Sequence, residues 1–309
     1  MNDNPVQADA SHSSATLSPE DALFLREARR GYSKYVKPAL LTGLRAALPN
    51  ALVDERTGYV LDVQDNLIGI TLNSIASSFA AGAGNELQGK MRAPWSSSAL
   101  AVNTFARWSA PTDLPLLHVA GESGFTELAF ERKCPNGVSS IPPHLDVVLT
   151  SETAVVAIES KFTEYLQGAT HTPVSTSYLR LAERGDPRAS SKWFAALKRC
   201  DAFLVLDAYQ LVKHYLGLRN IFGDDRCPLT LAYLYWEPAQ PLNSSVAKVI
   251  ERHRAEIARF TILVAGDPTC RFVSLTYGEL WETFATLPEK PTWLVNQLKA
   301  LRVRYLVSV

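Results

Sequence analysis

No run of this chain approaches the ~18 apolar residues that a helix needs to cross a bilayer. Residues 1–17 also lack a basic stretch ahead of an apolar one. The expectation is a protein that neither spans a membrane nor is visibly exported. Cysteine is scarce: Cys134, Cys200, Cys227 and Cys270 lie far apart and form no C-x-x-C pair. That argues against a zinc knuckle or a disulfide framework and makes reduced thiols in a cytoplasm the default. Net charge is lacking too, with 31 Lys and Arg against 31 Asp and Glu. Such a balance speaks against a protein coated in nucleic acid, yet it leaves room for a local basic groove. The six histidines form no H-E-x-x-H or other compact ligand set.

What is present is ordinary globular material. Hydrophobic residues make up 47% of the 309 and charged ones 20%, enough for a sizeable core. The length admits two domains or one elaborated α/β domain, and no repeat or low-complexity linker cuts the chain in two. Ser18-Pro19-Glu20-Asp21 is a helix start, with a Ser cap, Pro at the first position and acids in the first turn. Lys37-Pro38 should interrupt that helix or begin another. A turn-rich connector over 50–66 and a small-residue helical stretch from about Gly69 to Met91 follow. Ser96-Ser97-Ser98 then caps an amphipathic helix carrying Leu100, Val102, Phe105 and Trp108.

Past Ala110 the texture changes. Thr126–Lys133, Leu145–Thr150 and Ala154–Phe162 read as strands, the last two joined as a hairpin around Ser151-Glu152-Thr153. A helix from Asp201 to about Leu218, a strand over 229–238, a helix Ser244–Phe260 and a strand Arg271–Leu275 complete an α/β pattern around one mixed sheet.

The informative stretch is PPHLDVVLTSETAVVAIESKFTEYL, residues 142–166. A hairpin otherwise built of Val, Leu, Ile and Ala carries Asp146 on one strand, with Glu159 and Lys161 on the other. Alternation puts Glu159 and Lys161 on one face, roughly 7 Å apart, and sends Val156, Ile158 and Phe162 to the opposite face. With the turn centred between Glu152 and Thr153, Asp146 falls opposite Glu159, the two carboxylates within about 5 Å. Charge on an apolar strand is costly and needs a reason. Two oxygen donors facing a common point suit Mg²⁺, or Mn²⁺ in its place, and the Ser160 carbonyl could add a ligand. The bland alternative is a surface salt bridge on a hairpin.

This arrangement resembles the PD-(D/E)xK nuclease superfamily, the restriction-endonuclease-like fold. Its signature is an Asp on one central strand and Glu-x-Lys on the next, here Asp146 and Glu159-Ser160-Lys161. The order of elements over 96–240 is similar to that fold, although Leu145 stands where the family commonly has Pro. Segments 89–105, 130–137 and 159–164 are also similar to bacterial proteins regarded as restriction endonucleases. The resemblance implies metal-dependent phosphodiester hydrolysis, with Asp146, Glu159 and Ser160 as metal ligands and Lys161 orienting the attacking water. The family often adds a carboxylate before the sheet, for which Glu86 and Glu131 are candidates; Glu164 could border the site. Some exonuclease branches place a Gln on the following helix, a position Gln210 resembles, within the stripe Asp207, Gln210 and His214.

The expected architecture is therefore α/β. A disordered tail (1–17) and a helical N-terminal region (18–95) precede a nuclease-like domain (96–309) with a central mixed sheet flanked by helices. DNA is the expected partner, with Arg180, Arg184, Arg188 and Lys192 as contacts in a basic stretch that also holds Trp193 and Phe194. A homodimer is left open and no membrane is expected. The rival function is a noncatalytic nucleic-acid-binding or scaffolding module on the same fold, which the intact Asp, Glu and Lys disfavour. Gly84 to Lys90 fits G-x-x-x-x-G-K, but Met91 follows where Ser or Thr should hold a metal. Gly121-Glu122-Ser123-Gly124 lacks the spacing of a hydrolase elbow. His144, on the face of Asp146, reads as a structural residue.

Overall fold

The computed structural model describes residues 17–80, 89–168, 174–223 and 228–309. Glu86, Cys227 and most of the 84–90 loop lie outside the described residues, as does all but one residue of the expected tail. At the first helix, α1 (Pro19–Gly31), Ser18 Oγ accepts from Asp21 N at 3.0 Å, as the cap motif predicts. The Lys37-Pro38 interruption is real but mild. The chain widens into a π-helical turn over Tyr32–Val36 and resumes as α2 (Lys37–Ala47), with Pro38 in its first turn. Proline has no N–H to return to the carbonyl four residues back, so the ladder loosens just ahead of it.

The remaining helices are α3 (Ala76–Ala80), α4 (Ser97–Phe105), α5 (Thr176–Leu179), α6 (Lys192–Leu197), α7 (Ala208–Phe222), α8 (Ser244–Val264), α9 (Tyr277–Ala285) and α10 (Leu294–Tyr305). Among the described residues none is long and apolar enough to cross a membrane. The strands are β1 (Glu127–Lys133), β2 (His144–Thr150), β3 (Val155–Lys161), β4 (Leu229–Tyr235) and β5 (Arg271–Thr276). They form one mixed sheet in the order β1-β2-β3-β4-β5, antiparallel over the first three strands and parallel thereafter. This is the α/β architecture the sequence implied.

Each face of the sheet carries a hydrophobic cluster. On one, Val156, Ile158 and Phe162 pack with residues of α4, α9 and α10 and with Leu25, Tyr32 and Leu40, so the cluster draws on both sides of position 95. On the other, Val155 and Ala157 pack with residues of α6, α7 and α8. Helix α4 is buried from Ser98 to Phe105 rather than along one stripe. It is a central helix, and its expected amphipathic face does not exist. The helical stretch expected over 69–91 reduces, among the described residues, to α3 and short 3₁₀ turns.

Helix α7 starts seven residues later than the sequence suggests. The reason is Glu256 of α8, whose carboxylate accepts the backbone N–H groups of Leu204, Val205 and Leu206 at 2.9–3.1 Å. Those donors are thereby withdrawn from any helix, and Asp207 caps α7 instead through Gln210 N. Two glycines let helices approach closely. A Cβ on Gly217 would lie 2.5 Å from the Cys134 carbonyl, and one on Gly43 would lie 2.4 Å from that of Arg304. The first seats α7 against the end of β1; the second seats α2 on α10.

Candidate active site

The hairpin register decides where the charged residues fall. Val147 pairs with Ile158 and Thr150 with Val155, so the next step along β2 and β3 sets Asp146 opposite Glu159. The Ser160 N–H donates to Asp146 Oδ2 at 2.6 Å, tying the two strand ends together through a side chain. Glu159 and Lys161 share the α7 side of β3, while Ser160 turns its hydroxyl the other way, 2.6 Å from the Tyr277 hydroxyl.

Glu159 is 2% exposed. Its Oε1 lies 2.6 Å from Lys161 Nζ and its Oε2 2.8 Å from Nε2 of His214, itself 1% exposed. Lys161 Nζ also donates to Gln210 Oε1 at 2.8 Å. Spaced four apart on α7, Gln210 and His214 reach the same point from successive turns. Burial pushes the Glu159 carboxyl up, but Lys161 and His214 outweigh it and hold the group at about 2. For Lys161, burial works against the charge, while Glu159, Glu164 and Asp146 raise it well above the usual lysine range. Asp146 goes the other way. Burial, then the Glu159 and Glu131 charges, push its carboxyl well above the ordinary value, against Lys161 and the Ser160 N–H.

These groups form the floor of a cleft of about 700 Å³. Glu131 lines it from β1 with φ at +49°, a conformation that costs a non-glycine residue energy and that recurs at functional sites. Its carboxylate lies 3.8 Å from His144 Nδ1, which also lines the cleft. Glu164 stands at the rim and accepts the Phe162 N–H at 2.7 Å, closing the turn after β3. The opposite wall comes from the N-terminal region, with Tyr32, Lys37, Tyr59, Lys90 and Trp95.

The cleft thus gathers Asp146, Glu159, Ser160, Lys161, Glu131, Glu164 and Gln210 from the sequence candidates. Within the candidate stripe on α7, the sequence singled out Gln210, with a solvent face as its alternative, and gave His214 no role of its own. Their i, i+4 spacing beside an acidic strand was the available signal for His214. Asp207 is the cap of α7 rather than part of this floor.

The basic stretch lies elsewhere. Arg188 is bound to Asp186 through Nε (2.9 Å) and Nη2 (2.6 Å) and donates to the Asn136 and Leu216 carbonyls. The Lys192 ammonium is spent on the Ala265 carbonyl at the end of α8. Trp193 and Phe194 are buried in the core, while Arg180 and Arg184 are exposed. None of these six residues lines the cleft.

Residues 63–306 match the model of the family described as restriction endonuclease associating with ARP. No curated protein and no solved structure matches the chain.

Proposed function

The chain belongs to the family described as restriction endonuclease associating with ARP, and from that premise we propose that it is a Mg²⁺-dependent nuclease acting on DNA. The observation that carries this reading is the floor of the cleft, where Asp146 faces Glu159 with Lys161 alongside.

Donor chemistry supports the cation. The floor offers hard carboxylate oxygens in a polar cleft, and the Asp146 carboxyl is crowded by Glu159 and Glu131 in the way a divalent charge would relieve. Among the described residues no three His, Cys, Asp or Glu side chains gather closely enough to hold an ion unaided. Mg²⁺ takes one or two carboxylates and keeps several waters. Asp146, Glu159 and the Ser160 carbonyl would hold it. When bound, a divalent cation supplies positive charge that polarises a phosphoryl oxygen and acidifies water.

The chain's own residues do the rest. Lys161 places an ammonium where negative charge grows on the phosphate, and Gln210 fixes that ammonium from α7. His214 holds the second oxygen of Glu159 and so aims the carboxylate. The Ser160 N–H fixes Asp146. Pure protein incubated with plasmid and oligonucleotide DNA in Mg²⁺, Mn²⁺ or EDTA tests the proposal. Cleavage in either metal and none in EDTA is expected; an inert preparation in all three contradicts it.

A further inference from the structure

The wall facing the carboxylates is built to a different plan. Trp95 is partly buried against the core and partly open to the cleft, its ring edge-on to Tyr59 at 5.8 Å and 78°. The Lys37 ammonium lies 4.5 Å from the Trp95 ring centre and 5.2 Å from that of Tyr32. Aromatic rings and an ammonium together face a floor that is predominantly acidic.

This wall is fixed from behind. Asn66 Nδ2 holds the carbonyls of Met91 and Ala93 at 2.8 and 2.9 Å, and Arg304 Nη2 holds that of Pro94 at 2.8 Å. Arg304 Nη1 also takes the Leu40 carbonyl of α2 at 2.9 Å, one turn beyond Lys37, and its Nη2 bonds Asn66 Oδ1. Both residues are fully buried. One guanidinium therefore sets the backbone that carries Trp95 and the helix that carries Lys37. Such support behind a partly open ring is the pattern of a preorganised binding surface rather than of loose surface packing.

The other tryptophans are placed differently. Trp108, Trp193, Trp236 and Trp281 are fully buried. Trp293 meets Trp108 edge to face, lies beneath the Arg107 guanidinium and donates to Asp113. Among the described residues Trp95 alone of the six lines the cleft.

A ring that carries an ammonium over one face suits a nucleotide, the other face taking the base and the ammonium the phosphate. A paired base has both faces covered by its neighbours in the duplex. A ring set inside a cleft of this size can stack only on a base that has left the stack or never entered one. We propose that Trp95, Tyr59 and Lys37 bind an unpaired nucleotide beside the phosphate that is cut, so that the substrate is single-stranded or locally opened at that point. The place of the cut phosphate rests on the nuclease reading; the binding surface does not.

The test measures fluorescence anisotropy of labelled single-stranded and duplex oligonucleotides with the Lys161→Ala protein in Mg²⁺, so that metal is present and the strand stays intact. Tryptophan fluorescence is read alongside, and KM and kcat are measured with the wild type. Expected are quenching by the single strand and preference for it over the duplex. Trp95→Leu should weaken single-strand binding about tenfold or more, and Trp95→Phe less, since a ring remains. Lys37→Gln should reduce the log–log salt slope by about 0.7. In cleavage, Trp95→Leu should raise KM and leave kcat nearly unchanged. Should Trp95→Leu fail to fold, quenching in the unsubstituted ring and the Trp95→Phe measurement decide the question. Unquenched tryptophan with equal or tighter duplex binding overturns the proposal. A protein that cleaves while ignoring all three substitutions refutes this wall and leaves the nuclease reading. One that binds through Trp95 and cuts nothing refutes the nuclease reading and leaves the wall.

Discussion

Glu256 and Glu159 are both carboxylates buried to within 3% of full enclosure, yet their partners differ in kind. Glu256 accepts three consecutive backbone N–H groups and the Arg252 guanidinium. Arg304 likewise spends its charge on the Leu40 and Pro94 carbonyls and Asn66 Oδ1. Glu159 is held instead by the ends of two side chains, Lys161 and His214, at the floor of a cleft and facing the like charge of Asp146. Backbone-satisfied charge is an anchor that nothing else can use. Charge satisfied by side chains, crowded by a like charge and reachable from outside is poised for a ligand.

The widest gap between the two kinds should appear on deletion. Glu256→Ala strands the Leu204–Leu206 N–H groups and should cost about 3–5 kcal/mol in urea unfolding, with cleavage per folded molecule unchanged. Normal stability with lost cleavage would erase the distinction. Lys161→Ala should do the opposite, lowering kcat by about 10²–10³-fold with a smaller loss of stability, because the cleft admits water to Glu159. Retained cleavage in a preparation free of contaminating nuclease would remove Lys161 from the mechanism.

A buried histidine outside the cleft sharpens the contrast. His253 stacks on Tyr165 at 4.0 Å and bonds the Tyr233 hydroxyl at 2.8 Å. Burial, with Arg254 nearby, holds it at about 3. An unfolded histidine titrates near ~6.5, so between those values the unfolded chain binds the extra proton. Its contribution is complete above pH 6.5 and is lost as pH falls, by about 2 kcal/mol at pH 5. The urea midpoint against pH should lose this limb in His253→Phe, while cleavage by that variant at neutral pH should stay normal. An unchanged acid limb would exclude His253 as its source. The smallest effect is expected at Gln210→Ala, which frees the Lys161 ammonium and should lower kcat about tenfold. A larger rise in KM than fall in kcat would make Gln210 a substrate contact instead.

The strands and the facing of Asp146 and Glu159 were legible because β-side-chain alternation and a short turn fix register locally. Ser18 and Ser96 were legible as caps for the same reason: the signal is within four residues. What escaped came from contacts distant in sequence. Glu256 lies some fifty residues from the N–H groups it withdraws from the helix, so the late start of α7 could not be foreseen. Helix α4 looked amphipathic because sequence cannot show that both sides of it are covered. The run Arg180 to Arg199 looked like a basic groove, but Asp186 takes up Arg188 and the end of α8 takes up Lys192, while its aromatics serve the core. Basic wall residues from the N-terminal region reach the cleft only through the fold.

Melting curves of wild type and Asp146→Asn, each with EDTA and with millimolar Mg²⁺, test the central claim without knowledge of the substrate. The raised Asp146 carboxyl means that its ionised form burdens the fold at every pH above its folded value and not below its unfolded one. Asparagine removes that charge and can still accept the Ser160 N–H. In EDTA the variant should therefore melt at or above the wild-type temperature. Mg²⁺ should stabilise the wild type, by about 2.7 kcal/mol at a hundredfold excess over Kd, and the variant should lose most of that response. A wild type indifferent to Mg²⁺, with Asp146→Asn melting earlier, would make this cluster a structural ion network and remove the metal and the hydrolytic mechanism together.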